Sequence, residues 1–526
     1  MVFSLTTPAP KEGPRLTVLA ALVGLMLATV IVVAVGDRAG LPWPVLLVLL
    51  TAGALFLPGL PDLEVPAEMI LPIFLPPLLW ALARRTSWGS IRAQLSTIVS
   101  LSVLLVFVTV AALAGTAMWL MPGLGLAGAI VLAAALAPPD PVAVDAVAEP
   151  VGIPRRITSA LASEGLFNDA ASIVTFHLGL AALLAGEDVS FTAGALDFIW
   201  AVIASVVIGL VAGRATAWFT DHVGDTTARN ALSWVVPFAV YLLAEEVHAS
   251  GVIAVVIAAV ELTSRASLGA EDRLSGGAFW GTVEMLFTGV AFGLIGLSVR
   301  DAVDEVGAEL WHAVWVGAVL AVVAVAIRAV WLWLLYRINI RRGRRATAPL
   351  RLQEVLLMTW SGMRGLVTLA LVLSIPATAS DTLHHEAAVI ALVVLLLTMV
   401  LPGLTLPALM RTLDLVESPE QVDHLHDRAR RAARDYLAEH TADLPVEAVE
   451  AVGRWVRVRF DEHESDHGPD HEEIERWRGA AHKMRLASLR AAQQELLSAR
   501  RERGVDPGAV DEVLQEIDRM ILAARG

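Results

Sequence analysis

ALAPPDPVAVDAV, from Ala135 to Val147, sets three prolines around a carboxylate inside a long apolar stretch. Pro138, Pro139 and Pro141 each lack an N–H, so the carbonyls of Ala134, Ala135 and Ala137 lose their helical partners. Backbone opened in this way at membrane depth is tolerated only where it is buried in protein or lines a cavity. A broken helix that exposes carbonyls beside Asp140 is therefore a candidate ligand set for a cation. A proline kink used only for packing is the bland alternative, and the adjacent carboxylate argues against it.

The surrounding chain decides that this is membrane depth. Of 526 residues 56% are hydrophobic and 17% charged, with a mean hydropathy of +0.65. A soluble fold of that length cannot cover so much apolar surface. Apolar runs long enough for a helix to cross a bilayer recur in thirteen segments, roughly 15–36, 41–60, 67–83, 95–120, 125–148, 157–185, 194–220, 230–246, 251–264, 276–299, 309–336, 352–376 and 386–410. The first is too long for a signal peptide and lacks a small-residue cleavage pattern, so it reads as a retained span. The fold class is thus an all-α polytopic membrane protein: an extracytoplasmic N-terminus (1–14), a transmembrane domain (15–411) and a helical tail (412–526).

Loop charge sets the orientation. The loops on one side carry sixteen arginines, among them Arg84, Arg85, Arg155, Arg156, Arg341 and Arg342. Those on the other side carry Lys11, Arg15 and Arg300 beside Asp301, Asp304 and Glu305. Basic loops stay cytoplasmic, which puts the N-terminus outside and the tail inside the cell membrane. The tail is rich in Glu, Asp, Arg and His. Its stretch Asp461 to Glu473 (DEHESDHGPDHEE) reads as a solvated loop, since its histidines match no tight ligand spacing. Cysteine is absent, which excludes disulfides, thiolate metal sites and a Cys nucleophile. No nucleophile–base set, metal cluster or phosphate loop is found either, so an enzyme and a bound cofactor are not expected.

Ionisable groups inside spans are costly and mark function by default. Span six reads SEGLFNDAASIVTF, Ser163 to Phe176, and span twelve WSGMRGLVTLALVLSIP, Trp360 to Pro376. On one continuous helix Glu164 would share a face with Asn168, and Gly165 with Asp169, leaving a gap one turn before Asp169. A carboxylate that holds either a proton or a cation, never both, suffices for exchange. A structural ion pair is the alternative, and Glu164 suits that role better. Arg364 stays charged and needs a partner. Gly362 and Gly365 flank it and weaken the helix. Two interrupted spans, one in each half, point to a transporter of inverted repeats with its site near the midplane. Elsewhere, Arg328 lies in span eleven. His177 reads as a core histidine rather than a proton relay, Asp145 as a local contact, and Glu245, Glu246 and His248 as a solvated mouth.

These segments resemble the monovalent cation:proton antiporter family of the sodium/proton exchanger, NhaP type. DPVAV (140–144), EGLFND (164–169) and WSGMRG (360–365) match three signature segments in order. LPPLLWA (75–81) and PGLTLP (402–407) match two weaker ones. The resemblance implies that Asp169 binds the ion and the proton, with Asp140 assisting at the transported Na+. It implies that Asn168, standing where electrogenic relatives carry a second Asp, makes exchange electroneutral. It further implies a Glu164–Arg364 ion pair that supports the site, and a homodimer. Three departures touch ion choice. Pro139 stands for a common Thr, Gly165 for the usual Ser, and Ala81 for a frequent acidic residue. Only the Pro139 carbonyl remains where the first hydroxyl would be. Sodium is the first expectation, potassium its rival, and a membrane sensor that does not transport the competing class.

Overall fold

The computed structural model describes residues 14–39, 42–54, 67–140, 142, 144, 153–186, 191–265, 269–306, 309–343, 349–376, 378–413, 420–440, 471–500, 502, 505 and 507–525. Every regular element among them is helical, and the helices before Glu420 group into thirteen consecutive segments that follow the apolar runs of the sequence. In order these are α1 (Pro14–Ala39), α2 (Trp43–Ala54), α3 (Ala67–Ala83), α4 (Trp88–Ile98) continuing into α5 (Leu105–Leu120), and α6 (Gly125–Leu136). Next come α7 (Arg155–Gly165) with α8 (Asn168–Ala185), α9 (Phe191–His222), α10 (Thr226–Glu246), α11 (Gly251–Arg265), α12 (Ala270–Val306) and α13 (Leu310–Arg341). Last are α14 (Leu352–Trp360) with α15 (Leu366–Leu373), and α16 (Asp381–Leu395) continuing into α17 (Leu401–Leu413). By length and composition, seven stretches among the described residues can cross a membrane unaided.

Both expected breaks are present. Helix α6 stops at Leu136, and Pro138 to Asp140 are non-helical. Ser361 to Gly365 separate α14 from α15. A third break was not expected. Span six is two helices, because the chain leaves the helical path at Phe167, with φ −130° and ψ −11°, just after Leu166 closes α7. The shared face expected for Glu164 and Asn168 therefore does not exist, since helical periodicity cannot be carried across the interruption. Wide π-type turns at Val99–Leu104 and Leu396–Val400 join α4 to α5 and α16 to α17. Each half thus carries one such turn and one fully opened helix.

The segments pack as two bundles. In one, α6 lies against α5, α8 and α15, while α13 packs on α5 and α16. In the other, α3 packs on α10, α11 and α12, α9 lies along α11, and α12 crosses α1 and α2. Small residues permit the close crossings that membranes favour. A Cβ on Gly209 would stand 2.6 Å from the Ala254 carbonyl, and one on Gly213 would stand 2.7 Å from that of Ala258. Helices α3 and α12 form the seam against the first bundle, touching α15 and α16 respectively.

After α17, three helices form a unit of their own: α18 (Glu420–His440), α19 (His471–Ala499) and α20 (Pro507–Arg525). Leu425, Ala429, Ala433 and Leu437 recur every fourth residue on α18 and meet Leu489, Ala492 and Leu496 of α19 and Val513 and Ile517 of α20. The unit is tied to the end of α12, where Arg273 donates two 2.6 Å hydrogen bonds to the fully buried Asp518. Asp145 and residues 461–470 of the acidic His-bearing stretch lie outside the described residues.

Candidate functional site

The site is assembled where the two opened helices meet. The Asp140 N–H donates to the Met363 carbonyl at 2.6 Å. In return, Asp140 Oδ2 accepts the Leu366 N–H at 3.2 Å, capping α15, and Oδ1 accepts the Val142 N–H at 2.9 Å. A carboxylate suits a helix N-terminus, where free N–H groups and the positive end of the dipole converge. This contact requires a glycine: a Cβ on residue 365 would lie 1.6 Å from Asp140 Oδ2. Gly365 is therefore a place of close approach rather than a point of helix weakness.

The carbonyls stripped by the prolines mostly find partners. Ser172 on α8 donates its hydroxyl to Ala134 O at 2.6 Å. Arg364 donates to Leu136 O at 3.2 Å, to Gly362 O at 2.9 Å and, more loosely, to Ala137 O at 3.5 Å. Asn168 Nδ2 donates to Pro139 O at 2.6 Å, while its Oδ1 accepts the Asp169 N–H at 2.7 Å. The Pro139 carbonyl expected to remain thus has one of its two lone pairs engaged by the Asn168 amide. The amide in turn fixes the backbone of Asp169.

The expected Glu164–Arg364 pair is not the one formed. Arg328 on α13 reaches Glu164 with both nitrogens, Nη1 to Oε1 at 2.5 Å and Nη2 to Oε2 at 2.9 Å, and its Nε donates to the Met358 carbonyl at 3.0 Å. Both side chains are buried. The fork of a guanidinium matches a carboxylate held at this angle. Gly362 makes room for it, since a Cβ there would stand 2.5 Å from Arg328 Cδ. Arg364, meanwhile, is spent on carbonyls. The resemblance implied Arg364, and the sequence placed Arg328 in span eleven without a partner; the packing of α13 against α14 brings Arg328 to Glu164.

Asp169 is what remains. It is 2% exposed, and its Oδ1 has no hydrogen-bond partner among the described residues. With Asp140 it faces a cavity of about 20 Å³, space for roughly one water-sized particle. Leu75, Leu78 and Leu79 of α3 and Thr288, Ala291 and Phe292 of α12 close the far side. Asp140 has both oxygens on backbone N–H groups, so Asp169 is the carboxylate with capacity to spare. Gly165 is buried at the end of α7, and no hydroxyl comes from that position. Of the weaker candidates, His177 is exposed and takes no part in the cavity. Glu245, Glu246 and His248 are exposed at the end of α10. Thr288 escaped the sequence reading, because a lone threonine in an apolar helix carries no signal.

Two crossed, interrupted helices around a buried carboxylate, set between two helical bundles, define a secondary transporter for a small cation. The comparisons agree with this class. The model of the family described as sodium/hydrogen exchanger, transmembrane, matches residues 21–412, and the chain belongs to that family of monovalent cation/proton antiporters, which are transporters and not enzymes. An uncharacterized Na+/H+ exchanger of Mycobacterium tuberculosis is 29% identical over 446 residues, 81% of each chain. The sodium, potassium, lithium and rubidium/H+ antiporter of Bacillus subtilis is 30% identical over 412 residues, covering 73% of this chain and 61% of that protein. In fold, the sodium proton antiporter MjNhaP1 of Methanocaldococcus jannaschii matches 76% of this chain and 99% of its own with a TM-score of 0.57 at 19% identity.

Proposed function

We propose that the protein exchanges one monovalent cation, sodium first, for one proton across the cell membrane, and that both compete for Asp169. The observation that carries this is the Asp169 Oδ1, unpartnered among the described residues, in a cavity sized for one small particle. A carboxylic acid and a carboxylate holding one monovalent cation have the same net charge. Each half-cycle therefore moves a neutral site, and exchange is electroneutral. Asn168 supports this stoichiometry, because its amide is committed to Pro139 O and to the Asp169 backbone and adds no second charge. Access alternates as the α5, α6, α8, α13 bundle moves against the seam of α3 and α12.

Potassium is the second reading. Pro139 and Gly165 supply no side-chain hydroxyl, and the Bacillus subtilis relative's name includes potassium, lithium and rubidium. The arginine-rich loops support a cytoplasmic tail and an outer N-terminus. A homodimer and a part in pH homeostasis belong to the same proposal, with the tail as a regulatory unit. The test is proton movement driven by sodium, lithium or potassium gradients in proteoliposomes. Wild-type activity without accompanying current, abolished by Asp169→Asn, is expected. A normally active Asp169→Asn protein overturns the site, and robust wild-type currents overturn the stoichiometry.

A further inference from the structure

The far wall of the cavity is apolar except at one point. Thr288 on α12 is 2% exposed, lines the cavity with Asp140 and Asp169, and its Oγ1 has no hydrogen-bond partner among the described residues. This is unusual company for a helical threonine. Thr29, Thr51, Thr109, Thr359 and Thr398 all return their hydroxyls to the carbonyl four residues back, at 2.7–2.8 Å. Thr97 and Thr368, also buried and also without a partner among the described residues, are not among the residues lining the cavity.

The rotation of α12 that brings Thr288 to the cavity is fixed by a neighbouring face of the helix, roughly a quarter to a third of a turn away. A Cβ on Gly289 would stand 2.1 Å from Thr29 Oγ1, one on Gly293 2.5 Å from Leu25 Cδ2, and one on Gly296 1.9 Å from Thr51 Oγ1. Helix α12 is seated on α1 and α2 through these three positions, with Thr288, Ala291 and Phe292 left to face the site. A hydroxyl oxygen carries lone pairs suited to a hard monovalent cation, and burying one unsatisfied is costly.

We propose that the Thr288 hydroxyl is a cation ligand supplied across the seam, completing the coordination begun by Asp169 and setting which monovalent cation is preferred. The proposal rests on Asp169 being the ion site. It also supplies what Pro139 and Gly165 lack, an oxygen from a side chain, and takes it from the other bundle. Because Asp169 and Thr288 belong to bundles that move relative to one another, the ligand is present in one arrangement and withdrawn in the other. That is the differential contact a two-state transporter needs.

The experiment compares wild type, Thr288→Val and Thr288→Ser in proteoliposomes, measuring apparent KM and maximal rate for sodium, lithium and potassium. Valine keeps the shape and removes the oxygen. It is expected to raise KM for the preferred cation about ten-fold, with the maximal rate changed less than about two-fold and the order of preference among the three cations altered. Serine is expected to restore wild-type KM and order. Cation-induced thermal stabilisation of the detergent-solubilised proteins gives a second readout, lost in the Val variant and kept in the Ser variant. A Val variant with wild-type KM and order overturns the proposal while leaving Asp169 untouched. So does one in which Val and Ser lower the rate alike at constant KM, since that marks packing. A wild type without cation-driven proton movement takes down both readings.

Discussion

Replacing Arg328 by methionine removes the one hydrogen-bonding counter-ion that Glu164, a carboxylate buried to 1% exposure, has among the described residues. The guanidinium's two bonds to Glu164 and its bond to Met358 O go together. Loss of one partner of a buried pair costs about 3–5 kcal/mol, because the other charge stays behind unsolvated. Adding Glu164→Gln removes that charge, so the double variant should regain a large part of the loss. This corresponds to a coupling of about 2–3 kcal/mol. The same cycle run with Arg364→Met should give less than about 1 kcal/mol, since Arg364 bonds carbonyls and not Glu164. Unfolding in mixed micelles of rising SDS content, followed by the fluorescence of the 15 tryptophans, measures all of these. Strong coupling of Glu164 to Arg364 together with none to Arg328 would refute the pairing.

Other outcomes follow from single contacts. Gly365→Ala sets a Cβ where Asp140 Oδ2 lies, displacing the cap of α15. Transport is expected to fall more than about ten-fold in a protein that still inserts, read in proteoliposomes against its yield. Asn168→Asp turns a donated bond to Pro139 O into a repulsion between two oxygens. The variant should lose transport by a similar factor, and the appearance of currents at wild-type rate would show that the amide is dispensable. Asp518→Ala removes the acceptor of two Arg273 hydrogen bonds and of one from Gln493 on α19, with a cost of about 3 kcal/mol. Hydrogen exchange in α20 should quicken at least ten-fold with α13 unchanged. In the same unit, hydrogen bonds from Arg428 hold the Glu502 carboxyl below its ordinary value of 4.5. A depressed carboxyl stabilises above the unfolded value and loses that contribution as pH falls through the folded one. Protection around Glu502 should thus be level from pH 8 to 6 and decline below about 4.5, and Glu502→Gln should remove that step.

The spans were legible because apolar length is a local property, and the breaks at Pro138–Pro141 and Gly362–Gly365 because proline and glycine act on their own backbone. Asp140, Asn168 and Asp169 were legible as polar residues without an excuse in a bilayer. What the sequence could not convey is pairing between elements. It offered Arg364 for Glu164, whereas the packing of α13 supplies Arg328. It gave no sign that the Pro139 carbonyl also accepts the Asn168 amide. The break at Leu166–Phe167 and the π-type turn at Val99–Leu104 contain no proline and so carry no local signal. The turn at Leu396–Val400 lies just before Pro402, which lacks the N–H that the Thr398 carbonyl would take in a regular helix. The aim of Thr288 depends on glycines that touch α1 and α2 on a neighbouring face of its helix.

Competition at Asp169 is tested most directly by proton release from the purified protein in detergent. Adding sodium to weakly buffered wild type near neutral pH should liberate up to one proton per chain, saturating with the same apparent affinity as transport. Asp169→Asn should release none. Cation binding without proton release in the wild type, or undiminished release from Asp169→Asn, would contradict the account.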